Sequence, residues 1–265
     1  MTVITLTTDF GSGDYDAGVL KGVIWKIAPQ VKIADLSHDI TPHDVMQAAL
    51  LLWRAVPYFP DGTVHVAVID PGVGTSRRSI AARLGSQYFV GPDNGIVSLL
   101  LSRLDENNQP IDFVHLDQPQ YWLPEISNVF HGRDIFAPVA AHLASGIPLI
   151  SLGTPIKDPM IIEIPEPKST PIGWIGQVIH VDHFGNLSTN LNSNHLNPSK
   201  EVIISIKERK IVGLVSTFSE RPVGTLVALI DSAGSLAISV VNGNAAQYLH
   251  ASVGDNLELI NKKNE

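Results

Sequence analysis

Five short apolar runs, alternating with helical patterns through the first ~150 residues, constrain this chain more than any other feature. "VITLTT" (3–8), "VKIADLS" (31–37), "TVHVAVI" (63–69), "YFVGP" (88–92) and "FVHL" (113–116) are β-branched and almost continuously apolar. Strands buried on both faces of a parallel sheet have that composition. Between them lie "DYDAGVLKGVIWKIA", with Asp14 as an expected N-cap, "HDVMQAALLLWRAV", "NGIVSLLLSRL" and "RDIFAPVAAHLASG". Pro138 is expected to kink or start the last of these helices. Strand and helix in strict alternation imply βαβ crossovers and a layered α/β domain with a mainly parallel sheet, spanning 1–154.

The segment 155–171 carries Pro155, Pro159, Pro165, Pro167 and Pro171 and no helical pattern, so it reads as a linker. Beyond it, 172–265 is mostly strand-like: "IGQVIHVD", "EVIISIKERKIVGLV", "GTLVALID", "SLAISVV" and "NLELI", with one short helix, "NAAQYLH". That pattern predicts a smaller all-β, barrel-like C-terminal domain.

Composition narrows the function. With 44% hydrophobic and 17% charged residues the chain can bury a real core. A net charge of −8 without any basic run argues against nucleic-acid binding. The absence of cysteine excludes thiolate catalysis and disulfides, and fits a cytoplasmic protein. The opening "MTVITLTTDFGSGD" reads as a first strand and not a signal peptide, and no apolar stretch reaches the ~18 residues of a membrane helix.

Open parallel sheets bind ligands beyond the carboxyl ends of their strands. Here those ends are polar: Asp9 with Gly11 and Gly13; Asp35, His38, Asp39, His43 and Asp44; Asp70 with Gly72 and Gly74; and "GPDNG". The acidic and histidine cluster at 35–44 matches no metal motif and is explained as well by turns and caps, so no metal is expected. "GVG" at 72–74 is too short for a dinucleotide fingerprint. The Asp70–Arg77 pair is either catalytic or a salt bridge. "FHGRDIFAP" sets His131 just before a helix, while "DHFGN" and "NGNAA" place Asp182, Asn186 and Asn244 at turns. Residue types alone reach a polar-rimmed α/β enzyme and no further.

Taken in order, "TTDFGSGDYDAGVLKG", "VIDPGVGTSRR", "GPDNG", "FHGRDIFAP", "DHFGN" and "NGNAA" resemble the S-adenosylmethionine hydrolases, or adenosylmethionine hydroxide adenosyltransferases. These are relatives of fluorinating and chlorinating enzymes, and the resemblance runs along essentially the whole chain. It implies hydrolysis of S-adenosyl-L-methionine to adenosine and methionine without a cofactor. It further implies a homotrimer whose active sites lie between one subunit's N-terminal domain and a neighbour's C-terminal domain. The family's Asp-Arg-His trio falls on Asp70, Arg77 and His131. Asp9 matches the residue that holds the ribose hydroxyls, and Asp182 and Ser232 those that hold the methionine part. Asn186, Asn244 and Ala245 match the adenine contacts. At Asp70 the halogenating relatives carry tyrosine, so aspartate implies water as nucleophile; Ala233 replaces their arginine. Other classes the residues allow are a non-catalytic nucleoside binder, a metal-dependent hydrolase and a halogenase.

Overall fold

The computed structural model describes residues 2–197 and 201–262. They form two compact units, one running through Glu163 and one beginning at Ile164.

The first unit contains β1 (Val3–Thr8), α1 (Asp16–Ile27), β2 (Lys32–Ser37), α2 (Val45–Ala55), β3 (Val64–Val68), β4 (Ser79–Leu84), β5 (Gln87–Pro92), α3 (Ser98–Glu106), β6 (Ile111–His115), α4 (Ala137–Ala144) and β7 (Thr154–Ile156). One sheet takes the order β2-β1-β3-β5-β4-β6-β7. Strands β2, β1, β3 and β5 are parallel, while β4 runs antiparallel to both β5 and β6. The predicted parallel core is therefore present, with β4 and β7 added. "SIAARL" escapes a pattern reading because it is short, carries Arg83 and follows directly on two arginines.

Side-chain alternation gives each face of the sheet its own core. Ile4, Leu6, Val66 and Val68 pack with Leu20 and Ile24 of α1 and with Ala140 and Leu143 of α4. Ala67, Ile69, Ile80 and Phe89 pack on the opposite face with Leu52 of α2 and Leu100 of α3. Each fully buried large aliphatic side chain is worth about 2 kcal/mol of transfer free energy. Because β2 lies on one side of β1 and β3 on the other, the chain reverses direction across the sheet between β1 and β3. The carboxyl ends of these two strands flank a crevice.

Three local expectations are refined. Asp44 does cap α2, accepting from Gln47 N at 2.8 Å. Asp14 does not cap α1: its carboxylate accepts from the adjacent Tyr15 N at 2.7 Å, and the cap position is Tyr15, with no side-chain cap. Pro138 is the second residue of α4, and a π-helical turn, Gly132–Phe136, precedes it. Ala137 N reaches back five residues to Gly132 O.

The segment expected as a linker is paired at both ends. Thr154–Ile156 forms β7 against β6, and Lys168–Thr170 forms β8 against the strand that follows it. Between these, Met160 N donates to Asp93 Oδ1 at 2.7 Å and Ile162 N to Ser98 Oγ at 3.0 Å.

The second unit continues with β9 (Gly173–Val181), β10 (Leu187–Asn192), β11 (Glu201–Ile206), β12 (Arg209–Val212), β13 (Leu226–Ile230), β14 (Ser235–Val240), α5 (Ala245–Leu249) and β15 (Asn256–Lys262). The antiparallel order β12-β11-β15-β9-β10-β14-β13, with β8 on β9, makes an eight-stranded barrel-like sheet. Val178, Leu187, Ile204, Leu236, Ile238 and Leu257 fill its interior.

Candidate active site

Asp70 stands two residues beyond β3, at the head of a tight turn. Val73 N donates to Asp70 O at 3.1 Å, and Thr75 closes on Gly72 O through both its amide (3.1 Å) and its hydroxyl (2.7 Å). Gly74 has φ +75°, and a Cβ there would lie 2.3 Å from Asn128 O. Only glycine lets this turn press against the loop that leads to His131.

The turn delivers Arg77 back onto Asp70. Arg77 Nε donates to Asp70 Oδ1 at 2.8 Å, and Nη2 donates to Oδ2. The pair is closed to water, with side chains 8% and 6% exposed. Arg77 Nη2 also donates to His131 Nδ1 at 2.8 Å, Nη1 donates to Ser79 Oγ at 2.8 Å, and the guanidinium lies 5.3 Å from the Phe136 ring centre. Arginine only donates, so His131 Nδ1 must accept, and the proton of the neutral ring sits on Nε2. Burial, and then the Arg77 charge, hold the His131 imidazole below its ordinary range against the opposing pull of Asp70 and Asp134.

The π turn sets these contacts from the other side, since it carries His131 at its start and Phe136 at its end. A Cβ on Gly132 would lie 2.9 Å from Val68 Cγ1, so the turn meets β3 only through glycine. Fully buried Asp134 accepts from Ser127 N at 2.8 Å and from Arg133 Nε at 2.6 Å, fixing the loop before His131.

Asp70 and His131 line a cavity of about 180 Å³ together with Asp9, Phe10, His43, Val68, Val73, Val129, Phe130 and Gly132. Asp9 Oδ2 accepts from His43 N at 2.9 Å. The cavity therefore sits at the carboxyl ends of β1 and β3, at the reversal point of the sheet.

The other polar strand ends are occupied otherwise. Asp35 pairs with Lys21 Nζ at 2.5 Å and His38 Nε2 at 3.1 Å, and Asp39 accepts from Ser12 N at 3.0 Å. Among the described residues no group of three or more such side chains is arranged to hold a metal ion. In "GPDNG", Asp93 accepts from Arg78 Nε at 2.8 Å, and Asn94 Nδ2 donates to Ile69 O at 2.8 Å, steadying the residue before Asp70. The two consecutive arginines thus have separate tasks.

In the second unit, Asp182 Oδ1 accepts from Phe184 N (2.9 Å) and Asn186 N (2.8 Å), and Oδ2 accepts from Asn186 Nδ2 (2.7 Å). Ala246 N donates to Gly185 O at 3.0 Å, and Asn244 Oδ1 caps α5 by accepting from Gln247 N at 2.8 Å. Asp182, Asn186, Asn244 and Ala245 are accordingly neighbours at one end of the barrel-like sheet. Ser232 is exposed in the turn between β13 and β14, where Ala233 N donates to Asp231 Oδ1 at 2.9 Å.

Residue patterns missed the cavity wall of Phe10, Val68, Val73 and Phe130, since apolar residues near strand ends read as core. They also missed Ser79, which no motif distinguishes.

Fold and cavity define a two-unit chain: an open α/β sheet with a crevice at its reversal point where acidic and histidine side chains meet an apolar wall, and an antiparallel barrel-like unit. The SAM hydroxide adenosyltransferase N-terminal domain model matches residues 4–153, and the corresponding C-terminal domain model matches 176–258. The (R)-S-adenosyl-L-methionine hydrolase of Salinispora tropica is 38% identical over 97% of each chain. A solved Thermotoga maritima structure, titled an uncharacterized conserved protein, superimposes with a TM-score of 0.87 at 35% identity, covering 97% of this chain and 99% of that one. More distantly, an Actinoplanes fluorinase is 28% identical over 93% of this chain and 89% of its own. This chain belongs to the SAM hydroxide adenosyltransferase family.

Proposed function

We propose that this protein hydrolyses S-adenosyl-L-methionine to adenosine and L-methionine, taking the epimer named in its relatives, (R) at sulfur. The observation that carries this reading is the convergence of Asp70 and His131 on one cavity with Asp9, with Arg77 bonded to both Asp70 and His131. Water attacks C5′ of the ribose. The C5′–O bond forms as C5′–S breaks, and the electron pair passes to the sulfonium sulfur, which leaves as a neutral thioether needing no acid. The difficulty lies in the nucleophile, which must be held in line and relieved of a proton.

With Nδ1 engaged by Arg77, His131 offers Nε2–H to the water oxygen. The Asp70 carboxylate, pinned along one edge by Arg77, accepts the water's hydrogen and takes its proton as the new bond forms. Asp9 holds the ribose hydroxyls. Asp182 and Ser232 receive the methionine part, and Asn186, Asn244 and Ala245 receive the adenine. A homotrimer supplies that second set from a neighbouring subunit. The protein works in the cytoplasm, without a cofactor and without nucleic acid.

Incubation with each sulfur epimer, with and without chloride, followed by nucleoside chromatography, tests this. The expected result is adenosine independent of chloride, abolished in Asp70→Asn. Release of no adenosine from either epimer, or a chloride-dependent nucleoside, would refute it.

A further inference from the structure

Two hydrogen bonds from one guanidinium edge to one carboxylate fix a line, about which the rest of the group can still hinge. Arg77 meets Asp70 along such an edge, through Nε and Nη2. A third point is needed to fix the plane, and Ser79 Oγ supplies it, accepting from Nη1 at 2.8 Å on the far side of the group. Ser79 is well placed for this. It is the first residue of β4, 6% exposed, and its carbonyl accepts from Leu116 N at 2.8 Å, so the hydroxyl rides on a strand held from the neighbouring chain segment. Phe136 supports the same plane from its face, 5.3 Å from the guanidinium carbon. In this plane the second hydrogen of Nη2 points at His131 Nδ1, 2.8 Å away.

We infer that Ser79 is a positioning residue for hydrolysis: it holds the Arg77 plane so that Arg77 engages Asp70 and His131 together. The inference rests on the hydrolase reading above. Ser79 itself touches neither water nor ribose. It acts through Arg77, which keeps His131 neutral with its proton on Nε2. The charged groups acting on His131 are Arg77 and Asp70 from the turn after β3 and Asp134 from its own π turn; Arg133 is its near neighbour in sequence, and Asp9 and His43 line the same cavity.

The test compares wild type, Ser79→Ala and Ser79→Thr in two measurements. One is NMR titration of the His131 ring in the free protein, which needs no turnover. The other is kcat against pH with (R)-S-adenosyl-L-methionine. Loss of the hydroxyl strands a buried N–H of a charged group, so kcat falls about tenfold in Ser79→Ala while KM holds. The His131 midpoint moves up toward that of ordinary imidazole, because Arg77 no longer faces it squarely, and the acid limb of kcat follows. Ser79→Thr keeps the hydroxyl and the wild-type midpoint. A Ser79→Ala ring titrating as in wild type, or equal shifts in both variants, overturns the inference. If wild type releases no adenosine, the hydrolase reading fails, and the NMR titration still decides whether Ser79 controls the Arg77–His131 contact.

Discussion

His65 makes the stability of the first unit depend on pH in a calculable way. It lies in β3 and is 2% exposed. Its Nδ1 is 2.8 Å from Thr5 Oγ1 and its Nε2 is 3.3 Å from Gln87 Oε1. The Gln87 amide nitrogen donates to Phe59 O at 2.6 Å, which turns Oε1 toward the ring. Nε2–H therefore donates to Gln87 and Nδ1 accepts from the Thr5 hydroxyl, so the neutral ring is satisfied. Burial pushes its pKa down from 6.5 to about 4, only partly offset by Gln87. Above pH 6.5 folded and unfolded chains both carry neutral His65. As pH falls below 6.5 the unfolded chain binds a proton that the folded chain refuses, so stability drops until the pH passes the folded value. The full loss is about 3 kcal/mol, at 1.36 kcal/mol per unit. Most of it, roughly 2–3 kcal/mol, has gone by about pH 4.5. Urea unfolding of wild type and His65→Gln across pH 7.5 to 4.5 measures it as the difference between their slopes. His131 and His142 are also held below the ordinary range, and their contribution of the same sign remains in both proteins. Equal slopes in the two proteins would refute the argument, as would a His65 resonance titrating near 6.5 in the native state.

Three other outcomes follow from contacts already described. Arg77→Ala leaves the Asp70 carboxylate buried and unpaired, and should cost about 3–5 kcal/mol in urea unfolding as well as activity; a loss below about 1 kcal/mol would show that Asp70 is not buried in solution. Turnover should stay level as pH falls through the ordinary imidazole range and decline only below it, because His131 must be neutral to accept from Arg77 and its pKa is lowered; a kcat profile already falling above pH 7 contradicts this. Gly74→Ala combines a left-handed backbone with a Cβ 2.3 Å from Asn128 O, and should lower stability by more than about 1 kcal/mol, read from the shift in thermal midpoint.

The central parallel strands were legible because burial on both faces demands unbroken apolar runs, and β1, β3 and β5 carry them; β2, at the edge of the sheet, is half-buried or exposed throughout and showed only through its alternation with the helices. Strand β4 was not, because its pairing with β5 depends on a hairpin at Gly85, where φ is +65°, and no strong apolar signal marks it. Nor was β10, whose buried residues include Ser188 and Thr189, polar side chains satisfied inside the fold. Asp70 and Arg77 were legible as a pair, since seven residues across a glycine turn bring an acid and a base together. His131 is fifty-four residues further on, and no local pattern could bring it to Arg77; only resemblance placed it there. Ser79 carried no signal of either kind, because its role exists only once the guanidinium has a plane.

The π turn at Gly132–Phe136 amounts to one surplus residue within a helix. Removing it would swing the preceding residues by roughly 100° about the helix axis, one step of an α-helix. His131 would leave the cavity, while α4, anchored in its core, stayed where it is. The direction of this imidazole thus depends on the length of the chain as well as on the side chains that hold it. Scanning by substitution would never reveal that dependence. A one-residue deletion would, and the gain or loss of such a residue offers a lineage a way to re-aim the ring without disturbing the packing beneath it.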